Sequence, residues 1–175
     1  MSWQEKAKAQ VRAFTRAGQV LRFHTRPQLH PQNVGHHSYG VAWLCWVLTK
    51  EQASAALLMA ALSHDLPEFI TGDLPSPTKR RIGRGVVSEL EEEVWRKAGM
   101  PVQGFQLTEE ERRLLHLADL MEGMMHCVRE RSLGNQLLGA CYNRYANDAR
   151  GLLRTEVEQF VWGFINHKRR SYVRD

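Results

Sequence analysis

The chain has 175 residues, enough for one domain (residues 1–175) with a sizeable core. Its 43% hydrophobic fraction is ordinary for a soluble protein, and the absence of any run of about 18 apolar residues argues against a membrane span. The formal charge of +5 favours an anionic partner, but the positive residues divide between Lys79, Arg80, Arg81 and Arg84 and a tail of Lys168, Arg169, Arg170 and Arg174. That tail reads as a solvated terminus, no basic recognition helix stands out, and no stable nucleic-acid partner is expected. Cys45, Cys127 and Cys141 are odd in number and embedded in apolar sequence. They read as buried free thiols of a reducing compartment, and Met1 to Lys6 lacks the apolar core of a signal peptide, so the cytoplasm is expected.

The pattern is helical nearly throughout. Ala7, Val11 and Phe14 fall at helical spacing and predict a helix over 3–18. Residues 24–35 hold Pro27, Pro31, Asn33 and Gly35 and read as an irregular loop. Two apolar helices follow, over 38–50 and 52–64, and then a Gly/Pro-rich loop over 72–77. A charged helix is expected over 79–98, with its glutamates on solvated faces. Thr108-Glu109-Glu110-Glu111 resembles a capping box and opens a long helix to about residue 131. Two more helices, 133–149 and 151–168, end an all-α bundle of six or seven helices.

Chemistry concentrates where the second apolar helix ends. His64 and Asp65 follow Leu57-Leu58-Met59-Ala60-Ala61-Leu62, and Glu68 and Asp73 come within nine positions of His64. These are nitrogen and oxygen ligands for a hydrolytic divalent metal, with spare carboxylates for proton transfer. Adjacent helical residues point about 100° apart, so His64 and Asp65 need ligands from neighbouring helices. His37, or its neighbour His36, opens the preceding helix. Asp119 lies among Leu114, Leu115, Leu117, Ala118, Leu120 and Met121, where a buried carboxylate must be paired or coordinated. His37, His64, Asp65 and Asp119 would give one ion two nitrogens and two oxygens. The basic cluster six residues after Asp73 suggests phosphate.

The set His37…His64-Asp65…Asp119 on helices resembles the HD-domain phosphohydrolases, and among them the YfbR-type 5′-deoxynucleotidases. The strings that carry the resemblance are Arg22-Phe23, Asn33-Val34-Gly35-His36-His37-Ser38, His64-Asp65 with Glu68, Ala118-Asp119, and Thr71-Gly72-Asp73-Leu74-Pro75 continuing through Pro77 to Lys79. The last is the most specific. The resemblance implies a metal on His37, His64, Asp65 and Asp119, with zinc or cobalt favoured there over manganese or magnesium, and magnesium on the phosphates. It also implies catalytic Glu68 and Asp73 near the scissile phosphate and Arg22 on the sugar or phosphate. Lys79, on the same motif, is expected to touch substrate. The chain departs from the family at His36, where glutamate is usual, and at Phe23, where tryptophan crowds the sugar 2′ position; phenylalanine there would still exclude a hydroxyl.

The short length, the Val-Gly-His-His-Ser string and Thr78-Lys79-Arg80-Arg81 also resemble the DatZ proteins of cyanophages, which strip triphosphate from dATP where 2-aminoadenine replaces adenine. That likeness implies a dATP triphosphohydrolase of the host cytoplasm. Competing expectations are a 5′-deoxynucleotidase acting on monophosphates, an HD phosphodiesterase and a basic nucleic-acid-binding regulator. The acids Glu68 and Asp73 argue against the last, because a pure binder gains nothing from negative charge facing phosphates. Trp43 and Trp46 share a helix face, and a homo-oligomer is expected.

Overall fold

The structure, a computed structural model, describes residues 1–101 and 105–171, the side chains of 84 and 168–171 excepted. Nine helices and no strand are found among the described residues: α1 (Trp3–Ala17), α2 (Val34–Leu48), α3 (Ala55–Ser63), α4 (Glu68–Thr71), α5 (Ser76–Ile82), α6 (Arg84–Lys97), α7 (Glu109–Ser132), α8 (Gly139–Leu152) and α9 (Glu156–Ser171). The all-α expectation stands. Seven helices are long enough for their periodicity to show in sequence. The other two, α4 and α5, are short and lie in or beside the stretch read as acidic motif and loop.

Three boundaries differ from expectation for identifiable reasons. Helix α2 starts at Val34 because the Asn33 side chain caps it, accepting from the His36 N–H at 2.8 Å. The charged helix expected over 79–98 is two helices, broken at Gly83, whose φ of 96° cannot continue a helix. Residues 133–138 form a turn before α8. The Thr108–Glu111 capping box is present, and the basic tail lies outside the described side chains.

Helix α7, 24 residues long, is the central strut. It packs against α2, α3, α8 and α9. Leu117, Met121 and Met124 on α7 are fully buried against Val41 and Cys45 of α2 and Leu57 and Ala61 of α3. All three cysteines are buried and free. No helix among the described residues is long and apolar enough to cross a membrane. Because α2, α3 and α7 bury one apolar core, polar residues on their inner faces are forced into proximity, and that positions the site.

Candidate metal and phosphate site

The Asn33 cap puts His37 in the first turn of α2, where it is completely buried. His64 closes the C-terminus of α3 and Asp65 begins the turn that follows. Asp119 reaches in from the middle of α7. His37 Nε2 lies 3.2 Å from His64 Nε2 and 3.2 Å from Asp119 Oδ1. Asp65 Oδ2 stands 3.5 Å from both ring nitrogens. Donors held at about 2.0–2.2 Å by one four-coordinate ion stand roughly 3.3–3.5 Å apart. The contacts match that spacing, and His37, His64 and Asp65 together offer ligand atoms within 4.8 Å of one another.

The outer edges of both rings are already engaged. His37 Nδ1 makes a short hydrogen bond to Glu122 Oε2, and His64 Nδ1 donates to the Ala61 carbonyl at 2.8 Å. With both Nδ1 atoms donating, the Nε2 atoms of His37 and His64 face each other and Asp65 Oδ2, and Asp119 Oδ1 joins them from the His37 side. Such a donor set suits a divalent cation, and the residues present fit one. His36, the alternative to His37, is solvent-exposed one residue earlier.

Charged and aromatic groups surround this centre. Arg22, 8% exposed, approaches Glu122 Oε2 at 3.5 Å and Asp119 Oδ1 at 4.0 Å. Phe23 adopts a left-handed φ of 54° that bulky residues rarely take, and its N–H donates to Asp73 Oδ2 at 2.9 Å. Its ring stacks on His126 at 5.0 Å, which fixes its direction. Asp73 therefore ties the loop after α4 to the loop after α1, a holding role the motif alone did not reveal. Glu68 at the start of α4 is buried, with Oε1 3.8 Å from Lys79 Nζ and Oε2 lacking any hydrogen-bond partner among the described residues. A buried orphan carboxylate oxygen is costly and marks a place where a ligand or water is handled.

These groups line one cavity of about 360 Å³, large enough for a nucleotide. Arg22, Glu68, Asp73, Lys79 and Arg80 form its charged side, and Asp65 and Asp119 stand at its base. The opposite wall is α8, through Cys141, Arg144, Tyr145 and Asp148. Tyr145 stands edge-on to Phe23 at 6.3 Å, and its hydroxyl has no hydrogen-bond partner among the described residues. His116 also lines the cavity, while His24 is an exposed neighbour of Asp73, 4.0 Å away.

Sequence reading missed a polar stripe on α7: Glu122, His126 and Glu130, four residues apart, all buried. His126 Nε2 meets Gln28 Oε1 at 3.0 Å, and Glu130 accepts from the Leu29 and His30 N–H groups at 2.8 and 2.7 Å. The stripe clamps the loop after Arg22 onto α7. Its signal was available: polar residues at a four-residue spacing down a face otherwise apolar.

The electrostatics follow from burial and mutual proximity. Burial and the charges of Asp65 and Asp73, opposed by Lys79, push the Glu68 carboxyl up to about 9. Burial and Arg22 disfavour the charged form of His37, but hydrogen bonds to Asp119 and Glu122 overcome them and raise it to about 9. Burial also works against ionised Asp119, yet the His37 hydrogen bond and the charges of His37, His64 and Arg22 hold it well below the usual carboxylate range. Burial drives His126 down to about 4 in spite of Glu122 and Glu130.

An all-helical bundle with a His/His-Asp/Asp cage beside a cationic cavity defines an HD phosphohydrolase. A family model described as HD domain matches residues 12–126, and the chain belongs to that family. It is 24% identical over 156 residues to a 5′-deoxynucleotidase of Enterobacter sp. (strain 638), covering 77% of this chain and 78% of the relative. A 5′-deoxynucleotidase of Pectobacterium atrosepticum is 25% identical over 168 residues, covering 83% and 84%. Among solved structures, the cyanophage S-2L HD phosphohydrolase DatZ, bound to dA and one catalytic Zn2+ ion, superposes with a TM-score of 0.68 at 18% identity, over 97% of this chain and 96% of that one. The PH0347 protein of Pyrococcus horikoshii OT3 gives 0.69 at 19%, over 92% and 97%.

Proposed function

We propose that the protein is a divalent-metal-dependent deoxynucleotide phosphohydrolase and, most specifically, a dATP triphosphohydrolase. The observation that carries the enzyme reading is the spacing of four donors, 3.2–3.5 Å, between His37 Nε2 and its neighbours, with both Nδ1 atoms turned away. His37, His64, Asp65 and Asp119 would hold one ion, zinc or cobalt by their donor set. When bound, such an ion lowers the pKa of a coordinated water towards about 7 and polarises a phosphoryl oxygen.

The chain's own residues do the rest. Arg22 lies over the cage, where a guanidinium neutralises and orients the phosphoryl group next to the sugar. With a cation beside Asp65 the Glu68 carboxyl would be ionised, and its Oε2, which has no hydrogen-bond partner among the described residues, takes the proton of the attacking water. The new O–P bond forms at the α-phosphorus, the P–O5′ bond breaks, and the proton taken from the water passes from Glu68 to the leaving O5′. Deoxyadenosine and triphosphate are the products. Asp73 fixes Phe23 and organises the leaving-group side. Lys79 and Arg80 flank the cavity where the outer phosphates, with magnesium on them, would lie.

The nucleoside is assigned to the α8 wall. Tyr145 with Phe23 makes an aromatic corner there for sugar and base. Support for dATP comes from the fold shared with a protein solved with dA and from the cations beyond Asp73. The curated relatives favour a second reading, a 5′-deoxynucleotidase that releases orthophosphate from monophosphates.

A panel of deoxy- and ribonucleoside mono- and triphosphates, assayed for orthophosphate and triphosphate with several divalent metals, separates these readings. Triphosphate from dATP supports the first and orthophosphate from monophosphates the second. Inert metal-loaded protein would remove both. A homo-oligomer is part of the proposal: Tyr39, Trp43 and Val47 of α2 and Met59 and Leu62 of α3 leave an apolar face 42–59% exposed, which an assembly would cover. Light scattering of the purified protein tests it. The proposed setting is the cytoplasm, that of the host for a phage-borne chain.

A further inference from the structure

Glu122 touches the two halves of the site at once. One oxygen, Oε2, holds His37 Nδ1 in a short hydrogen bond and lies 3.5 Å from Arg22 Nη1; the other, Oε1, accepts from Gln32 Nε2 at 2.7 Å. Gln32 in turn presents Oε1 to Arg22 Nη1 at 3.4 Å. Glu122 is 5% exposed and Gln32 1%, so neither can exchange these partners for water. The carboxylate has no freedom on its remaining side either. Gly40, one helical turn from His37 on α2, faces the Glu122 stem, and a Cβ there would come within 2.8 Å of Cγ.

From this we infer that Glu122 is the positioning residue that aligns the proposed metal ligand His37 and the proposed substrate-binding Arg22 with each other, and that Gly40 is the space that lets it do so. The inference rests on the metal-hydrolase reading above. A histidine donating its outer N–H to a carboxylate is fixed in tautomer and made a better ligand. The same carboxylate compensates a buried guanidinium that would otherwise lean more heavily on Asp65 and Asp119 and draw those oxygens away from the cage. One side chain thus sets where the ion and the phosphate stand relative to one another. Glu122 touches neither, so it acts only through His37 and Arg22.

The test uses the full-length protein and zinc itself. Zinc affinity is measured by competition with a chromophoric chelator for wild type, Glu122→Gln and Gly40→Ala, with the folded state checked by circular dichroism. Glu122→Gln keeps the shape and removes the charge; Gly40→Ala keeps the Glu122 carboxylate but displaces it from behind. Both variants should bind zinc roughly ten- to hundredfold more weakly, and both should raise KM as Arg22 loses its seat. A purely structural residue would lower the melting temperature and leave the zinc affinity of the folded fraction unchanged. Folded Glu122→Gln with wild-type zinc affinity overturns the positioning role, whether or not Gly40→Ala folds. A wild type that takes up no zinc, cobalt or manganese overturns the hydrolase reading and this role with it.

Discussion

The cage and the arm beside it are built on opposite principles. In the cage, His37, His64, Asp65 and Asp119 come from α2, the end of α3 and α7, which share the main core, and the outer edges of both rings are engaged, His37 by Glu122 and His64 by Ala61, with Arg22 beside them held by Gln32 and Glu122. In the arm, Glu68 to Arg80 run through two short helices, α4 and α5, and the Glu68 carboxylate keeps one oxygen without a partner among the described residues. A site that must hold an ion in fixed geometry gains from saturated neighbours, since rigidity sets affinity. A group that must take up and release a proton gains from an unfilled valence. The contrast separates the proposed holding residues from the proposed reacting one.

The largest expected effect breaks the cage. Asp65→Ala should reduce turnover to background and abolish zinc binding, both followed by metal analysis of the purified variant. Breaking the arm should look different. Glu68→Gln should retain a full complement of metal while kcat drops by about 10²–10⁴, the range for loss of a positioned proton acceptor. Unchanged turnover would remove Glu68 from its role. A smaller change sharpens the contrast within the arm. Lys79→Ala should raise KM for a triphosphate about tenfold, or about 1.4 kcal/mol, with less effect on a monophosphate; equal effects would place Lys79 away from the outer phosphates.

The smallest effect concerns pH in the metal-free protein. Glu68 and His37 are both raised to about 9, above ordinary values of 4.5 and 6.5. The folded state therefore binds more protons than the unfolded chain, and the stability these groups contribute is lost as pH rises towards 9. His126 works in the other direction, but it is lowered and its effect is complete near its ordinary value of 6.5. Between pH 7 and 9 the melting temperature of metal-free protein should fall, by roughly 2–4 °C for each kcal/mol of stability lost. Added zinc should raise it more at pH 9, because binding a metal releases those protons. A flat profile across that interval would mean that the two groups are not perturbed together.

Much of this was legible in the sequence. The long helices announced themselves by periodicity, and the four donors did so because charge placed in or beside apolar helical sequence must be used or paired. The break at Gly83 was not legible, since a single glycine in a charged segment is compatible with an unbroken helix until its φ is known. Asp73 was visible as an acid beside the site, but its grip on the Phe23 N–H depends on two loops meeting, which no local pattern encodes. Glu122, His126 and Glu130 carry no motif and appear only when the loop after α1 folds onto α7. Their shared face was readable; what they hold was not.

The central claim is that side chains from three separate parts of the chain converge on one ion. Anomalous diffraction from crystals grown with zinc, recorded on both sides of the metal's absorption edge, tests it directly. The account predicts one strong peak per chain within bonding distance of His37 Nε2, His64 Nε2, Asp65 Oδ2 and Asp119 Oδ1. A zinc-replete crystal with no peak there, or with Asp119 turned away from the ion, would contradict it.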